Sequence, residues 1–313
     1  MKFAATAVLA ASFAVAQGQA SAQQPSPAAA PAEKTATDIS AIEKSAMDKM
    51  IKGDRAGALA EFDAAIGDTH SAEAYAARGR MHMRLHDYRE AAGDFSAASA
   101  KDPDNVELLY ARAMAEIKAG QPQKGIDAIT RLLKIAPRYP DARLMRGEAW
   151  RALGKHKKAA ADFDEEVELF RDRPLARLSR GYFNLSRGNG EAALEDFIAT
   201  DRLAPSPEAR MAGIMALVES GKCDDAKDQL GPLLAPERMD MTQQEATATA
   251  AYLINCGREP ERAVALLGRV CVKTPIPLAA MKSGGLLAPL FKALDKTAFS
   301  DLNKACPQDV KPQ

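Results

Sequence analysis

Residues 75–95, YAARGRMHMRLHDYREAAGDF, decide the fold, because their order of small and large side chains returns along the chain at a constant interval. The small residues at this interval are Gly79, Ala113, Gly147 and Gly181, and the large residues that follow them, also at a constant spacing, are Phe95, Ile129, Phe163 and Phe197. A second small residue stands four positions before each large one, at Ala91, Gly125, Ala159 and Ala193, and Pro103, Pro137 and Pro205 close three of the four units. Such a period predicts stacked copies of one structural unit.

The unit resembles the tetratricopeptide repeat, a helix-turn-helix of about 34 residues in which small side chains let two helices approach and a large one fills the space between repeats. Weaker copies precede and follow the four units, with Phe62, Leu230 and Leu267 at the position of the large residue. The resemblance covers residues 39–275 and implies an all-α fold, a right-handed α-solenoid of six to seven repeats. The low aromatic fraction of 5% also favours closely packed helices. We expect residues 276–313 to form C-terminal capping helices and a tail, since the last repeat needs a cover.

The N-terminus has the pattern of a secretory signal peptide over residues 1–22. Lys2 precedes an apolar run at residues 3–16, and Ala20-Ser21-Ala22 offers a cleavage site after Ala22. The apolar run is shorter than the ~20 residues of a membrane span, so an anchor is the less favoured interpretation. Residues 23–38 are rich in proline and alanine and predict a disordered linker. We therefore expect a periplasmic or secreted protein.

The charge balance and the motifs argue against several function classes. Lysine plus arginine equals aspartate plus glutamate at 42 each, which removes a global electrostatic argument for nucleic acid or an anionic membrane. No glycine-rich phosphate loop, G-x-S-x-G or H-E-x-x-H motif occurs, so we expect no cofactor and name no catalytic residue. His82 and His86 could share a helix face and bind a metal, but the repeat register puts His86 in a turn. A surface helix and turn is the preferred interpretation, without a metal.

Charged residues follow the same period as the small and large ones. Arg78, Arg146 and Arg180 each precede a glycine, and Asp94, Asp162 and Asp196 follow them at the spacing that separates the small residues from the large ones. This spacing predicts structural ion pairs between the two helices of one repeat. Arg112 is the exception, because Ala128 stands at the position of the aspartate. That arginine is predicted either to be unpaired or to reach a ligand.

All four cysteines lie in the last third of the chain, at Cys223, Cys256, Cys271 and Cys306. In an exported protein an even number suggests disulfides, and free thiols or a zinc site are the alternatives. By the repeat register, Cys223 opens a second helix and Cys256 ends the next first helix, at the same edge of the stack. We therefore predict the pairs Cys223–Cys256 and Cys271–Cys306.

The resemblance places a partner in a concave groove lined by the first helix of each repeat. Transferred onto this register, the groove positions are Arg80, Met83 and Arg84, then Tyr110, Met114 and Ile117, then Leu144, Glu148 and Arg151, then Leu178, Tyr182 and Leu185, then Met211, Met215 and Val218. The first set is basic and the last ones are apolar, which suits an amphipathic helix or apolar peptide with an acidic end. The alternative is that some of these side chains pack against neighbouring helices.

The resemblance favours a non-enzymatic protein-protein interaction scaffold of the cell envelope, with a protein or peptide partner. An envelope assembly or cytochrome-maturation factor with one dedicated client is the alternative, followed by a self-assembling structural module. The sequence identifies neither the partner nor the oligomeric state.

Overall fold

The computed structural model describes residues 39–235 and 241–271, and within them fourteen α-helices form seven consecutive pairs, with no strand. The predicted signal peptide, linker, C-terminal cap and Cys271–Cys306 pair fall outside these residues or depend on residues outside them. The first helices of the pairs are α1 (Ile39–Ile51), α3 (Ala72–Arg84), α5 (Val106–Lys118), α7 (Ala142–Ala152), α9 (Pro174–Ser186), α11 (Pro207–Glu219) and α13 (Gln243–Asn255). The second helices are α2 (Arg55–Thr69), α4 (Tyr88–Lys101), α6 (Pro122–Ile135), α8 (His156–Leu169), α10 (Gly190–Leu203), α12 (Cys223–Leu230) and α14 (Pro260–Cys271). A short 3₁₀ helix, Gly231–Leu234, follows α12.

The turn inside a pair requires one residue in the left-handed region. Glycine supplies it in five pairs, at Gly53, Gly120, Gly154, Gly188 and Gly221, with φ between 68° and 80°. In the second pair His86 stands at this position with φ of 62°. The Nδ1 atom of His86 lies 2.7 Å from the hydroxyl oxygen of Tyr88. His86 is therefore a turn residue with an unusual backbone conformation for its type.

The small and large residues of the repeat meet inside each pair. A Cβ added to Gly79 or Gly147 would lie 3.1 Å from the ring of Phe95 or Phe163, and on Gly181 it would lie 2.7 Å from the ring of Phe197. These rings are almost completely buried. The period in the sequence therefore reflects a packing contact, which joins the two helices of each pair.

In the third pair the glycine of the close contact lies on the second helix, and the larger side chain lies on the first. Ala113 replaces the glycine of the first helix, and Gly125 of the second helix lies so close to Ile117 that an added Cβ would be 2.5 Å from its Cγ1 atom. Ile129 is fully buried in place of the aromatic ring. A smaller side chain on one helix therefore accommodates a larger one on the other.

Three arginines join the two helices of their pairs through bidentate contacts to aspartate. Arg78 donates to Asp94 at 3.0 and 2.6 Å, Arg146 to Asp162 at 2.8 and 2.6 Å, and Arg180 to Asp196 at 2.9 and 2.8 Å. The aspartate side chains are only 7%, 6% and 2% exposed, so each guanidinium supplies the charge that a buried carboxylate needs.

Arg112, for which the register predicted no partner within its pair, forms an ion pair on its own helix. Its Nε atom donates to Glu116 at 2.8 Å, one turn further along α5, and Glu116 is buried. The expectation of an unpaired or ligand-binding arginine was wrong, because a carboxylate on the same helix replaces the missing one on α6.

A disulfide joins Cys223 at the start of α12 to Cys256 at the end of α13. It connects the sixth and seventh pairs across a sequence separation of 33. None of the described helices is long and apolar enough to span a membrane.

Candidate partner-binding groove

The first helices of neighbouring pairs contact one another along one face of the solenoid. Contacts join α1 to α3, α5 to α7, α9 to α11, and α11 to α13. We call this face the groove, because it is where the family resemblance places a partner. Two small cavities open on it, one towards each end of the described chain.

The N-terminal cavity has a volume of about 310 Å³ and lies between α1 and α3. Arg80 and Arg84 line it, together with Glu43 and Met47 of α1. The guanidinium of Arg80 donates twice to Glu43 Oε1, at 2.9 and 2.6 Å, whereas Arg84 reaches only the sulfur of Met47, at 3.6 Å. Since Arg80 already holds a carboxylate, the basic end of the groove is reduced to Arg84. Neighbouring Met83 is half-buried.

Half-buried residues of α5 line the middle of the groove, at Tyr110, Met114 and Ile117. The ring of Tyr110 packs against that of Tyr139 at 5.3 Å, and Tyr139 donates to Glu107 at 2.9 Å. Burial and this hydrogen bond raise the pKa of Tyr139 to about 12, and burial beside the Asp141 carboxylate raises the pKa of Tyr110. Both phenols therefore stay protonated at neutral pH.

The charges beyond this tyrosine pair are matched within the protein. Arg151 and Glu148 form an exposed salt bridge at 2.6 Å along α7. Arg173, at the start of α9, pairs with Asp141 at 2.8 Å. Each of these two arginines is thus already paired with a carboxylate of the protein.

The C-terminal cavity is smaller, about 170 Å³, and lies among α9, α11 and α13. Tyr182, Met211 and Met215 line it with Glu208, Gln244 and Thr247. The hydroxyl of Tyr182 donates to Glu208 at 3.3 Å, and its ring packs edge-on against Phe197 at 5.2 Å. Burial, and then the neighbouring Glu208 carboxylate, raise the pKa of Tyr182 well above its usual value. Half-buried Leu178 packs against the buried apolar cluster that contains Phe197.

Three predicted groove residues are core residues. Leu144, Leu185 and Val218 are only 6%, 9% and 5% exposed. Leu144 lies in a cluster with Phe163 and Phe183, and Leu185 and Val218 lie in the cluster that surrounds Phe197. A partner cannot reach them while the helices stay packed, so the accessible groove is narrower than the register suggested.

Sequence reasoning missed an exposed apolar residue on α9, the helix that contributes Tyr182 to the C-terminal cavity. Leu175 is 47% exposed at the start of α9. It follows the proline that begins α9, just as Glu208, which lines that cavity, follows the proline that begins α11. The repeat register would also have predicted Leu175 as a groove residue if the second residue of each first helix had been counted among the groove positions.

Of the two histidines, His86 lies in the turn that its register predicted, whereas His82 is not a surface residue. His82 is only 12% exposed, and its ring lies between Asp87 at 3.5 Å and Asp94 at 3.8 Å. His86 instead contacts Tyr88. Within residues 39–235 and 241–271, no three His, Cys, Asp or Glu side chains are grouped to hold a metal ion.

Comparisons with known proteins agree with this architecture. A family profile of the tetratricopeptide repeat matches residues 77–140 and 110–174. A search of curated proteins finds no match. Among solved structures, a tetratricopeptide repeat protein from Parabacteroides merdae ATCC 43184 is similar, with a TM-score of 0.61, 19% identity, and coverage of 81% of this chain and 98% of that one.

A second similar structure is the APC/C hetero-tetramer Cut9-Hcn1, with a TM-score of 0.53 and 19% identity. The alignment covers 85% of this chain and 48% of that one, so the chain spans about half of its length. At this level of identity both structures bear on the fold alone.

Proposed function

Because the chain is a tetratricopeptide repeat protein, we propose that it is a non-enzymatic scaffold of the cell envelope that binds a partner segment in its groove. The observation that supports this most directly is the apolar end of the groove. Tyr182, Met211 and Met215 line a cavity of about 170 Å³ there, and Leu175 is exposed at the start of α9, the helix that carries Tyr182. Methionine adapts to irregular apolar partners, and exposed apolar groups on a concave face are typical of binding surfaces.

The proposed partner segment inserts apolar side chains at this end, as an amphipathic helix or an extended peptide. An acidic end of the partner is not required, since Glu43 already neutralises Arg80. The phenolic oxygen of Tyr182, whose hydrogen is donated to Glu208, supplies a hydrogen-bond acceptor for the partner.

The envelope location is part of the proposal. The pattern of residues 1–22 favours export. The disulfide Cys223–Cys256 supports an oxidising compartment, since such bonds are rare where thiols are kept reduced.

Site-specific photo-crosslinking in intact cells tests the proposal. A photoreactive phenylalanine analogue at Leu175 should capture a discrete partner protein, and the additional substitution Met215→Asp should abolish the product. The matched control is the same analogue at Ile135, which is 43% exposed at the end of α6, outside the groove. Equal capture from both positions, or capture that survives Met215→Asp, would contradict groove binding.

A further inference from the structure

A cleft outside the groove lies between α10 and α11, and we call it the α10–α11 cleft. Its volume is about 690 Å³. Apolar side chains of both helices form its floor, among them Leu194, Ile198 and Ile214, and the arginines Arg202 and Arg210 line it. Ile198 is 44% exposed. The volume is in the range of sites that hold a ligand or a few side chains of a partner.

The cleft lies where the second helix of the sixth pair ends early. The second helices α4, α6, α8 and α10 each have 14 residues, whereas α12 has 8. At Gly231 the backbone adopts a φ of 43° and a 3₁₀ helix follows. The last turns of a regular second helix are therefore absent at this point of the stack.

In three successive first helices an arginine stands immediately before the first predicted groove residue. These are Arg143 before Leu144, Arg177 before Leu178 and Arg210 before Met211. Arg143 pairs with Glu165 of α8 at 2.6 Å, and Arg177 lies 3.9 Å from Asp196 of α10. In both pairs the carboxylate belongs to the second helix of the same pair.

The sixth pair lacks both carboxylates. Counted from Arg210, Pro232 stands at the position that Glu165 has relative to Arg143. Gln229, which lines the cleft, stands at the position that Asp196 has relative to Arg177. Arg210 is exposed and has no carboxylate partner among the described residues.

The acidic residues of the cleft are used in helix caps and do not replace those partners. Asp201 accepts a hydrogen bond from the backbone of Ser206 at 3.0 Å, and Glu245 accepts one from the backbone of Thr242 at 2.8 Å. Arg202, like Arg210, has no carboxylate partner within the part of the chain that the structure describes. The cleft thus combines apolar side chains with two arginines that form no salt bridge among the described residues, while the two carboxylates of its lining bond backbone amides.

We propose that the α10–α11 cleft docks a short helix of a partner protein, which presents an apolar face to Leu194 and Ile198 and a carboxylate to Arg210. The helix packs beside the shortened end of α12, where Gln229 lines the cleft. Its carboxylate replaces the one that Glu165 supplies to Arg143 in the fourth pair. This site shares Met211 with the C-terminal cavity of the groove, but the proposal does not depend on the function proposed for the groove.

The test uses a helical probe taken from the equivalent place in this chain. A fluorescent peptide with the sequence of residues 161–169, ADFDEEVEL, made with a helix-nucleating N-terminal cap, carries the equivalent of Glu165. Fluorescence anisotropy with the full-length mature protein should show saturable binding. Arg210→Glu should weaken it at least about tenfold, since a charge-assisted contact is replaced by repulsion.

Two controls make the result specific. Arg89→Glu, at another exposed arginine, and Met215→Asp, in the groove, should leave the affinity unchanged. A peptide with lysine at the position of Glu165 should bind the Arg210→Glu variant better than the wild type. Circular dichroism melting shows whether each variant is folded.

The absence of peptide binding, or binding that Arg210→Glu leaves unchanged, would overturn the proposal. So would binding of dodecanoate that is lost in Arg210→Glu while the peptide fails to bind. That outcome would assign the cleft to an anionic amphiphile instead of a partner helix.

Discussion

The middle of the solenoid, α3 to α10, and its C-terminal part, α11 to α14, join their helices by different chemistry. Three of the four middle pairs have a bidentate arginine–aspartate contact across the pair. In the sixth pair, Gly213 and Gln229 occupy the helix positions that Arg180 and Asp196 have in the fifth, so both partners of the ion pair are replaced together. The disulfide Cys223–Cys256 is a different kind of link, because it joins the sixth pair to the seventh and not the two helices of one pair. The repeat is thus defined by its small-to-large packing, and the ion pair can be absent.

The largest effect is expected from breaking a buried ion pair in the middle. Asp162 is 6% exposed and Arg146 is 19% exposed. Asp162→Ala leaves the guanidinium without its partner, so the free energy of unfolding should fall by about 3 to 5 kcal/mol. Urea denaturation of the two single variants and the double variant measures their coupling.

The exposed pair Arg151 and Glu148 is the matched control for that measurement. Its side chains are 47% and 44% exposed, and its coupling should be at most about 1 kcal/mol. A coupling between Arg146 and Asp162 below about 0.5 kcal/mol would mean that the middle pairs do not depend on their ion pairs.

The disulfide of the C-terminal part should contribute slightly less. Replacing both Cys223 and Cys256 by serine removes a link that closes a loop of sequence separation 33. Loop-closure entropy predicts a loss of about 3.7 kcal/mol. The measurement is urea denaturation without reductant. A double variant as stable as the wild type would show that the sixth and seventh pairs are held by packing alone.

Much of the fold was predictable because it depends on contacts that repeat in sequence. Gly79, Gly147 and Gly181 pack directly on the phenylalanine rings that follow them at a constant spacing, so the period reports a physical contact. The ion pairs follow the same period for the same reason. His86 could be placed in a turn from its register, although not its positive φ, because histidine is an unusual residue there.

The site was less predictable because exposure depends on how neighbouring pairs close over each helix. Leu144 and Leu178 have the same register position, yet the first is buried against Phe163 and the second is half-exposed. Arg112 illustrates another limit. The carboxylate of Glu116, one turn away on the same helix, pairs with Arg112. The residues of the facing helix gave no indication of this pairing.

The smallest effects compare two glycines, one in the middle part and one in the C-terminal part, that face different atoms of the same phenylalanine. Gly181 and Gly213 both face Phe197, which is fully buried. A Cβ on Gly181 would lie 2.7 Å from ring atom Cε1, whereas a Cβ on Gly213 would lie 3.9 Å from Phe197 Cβ. Gly181→Ala should therefore lower the free energy of unfolding by about 1 to 3 kcal/mol through overpacking.

Gly213→Ala should be neutral or raise the stability by up to about 1 kcal/mol, because alanine fits the space and is the better helix former. Urea denaturation of both variants measures the difference directly. Since Phe197 is common to both glycines, opposite signs would show that close approach is required within the fifth pair and not between it and the sixth. Equal losses would instead mean that Phe197 needs both glycines, and that the two parts of the solenoid share one packing constraint.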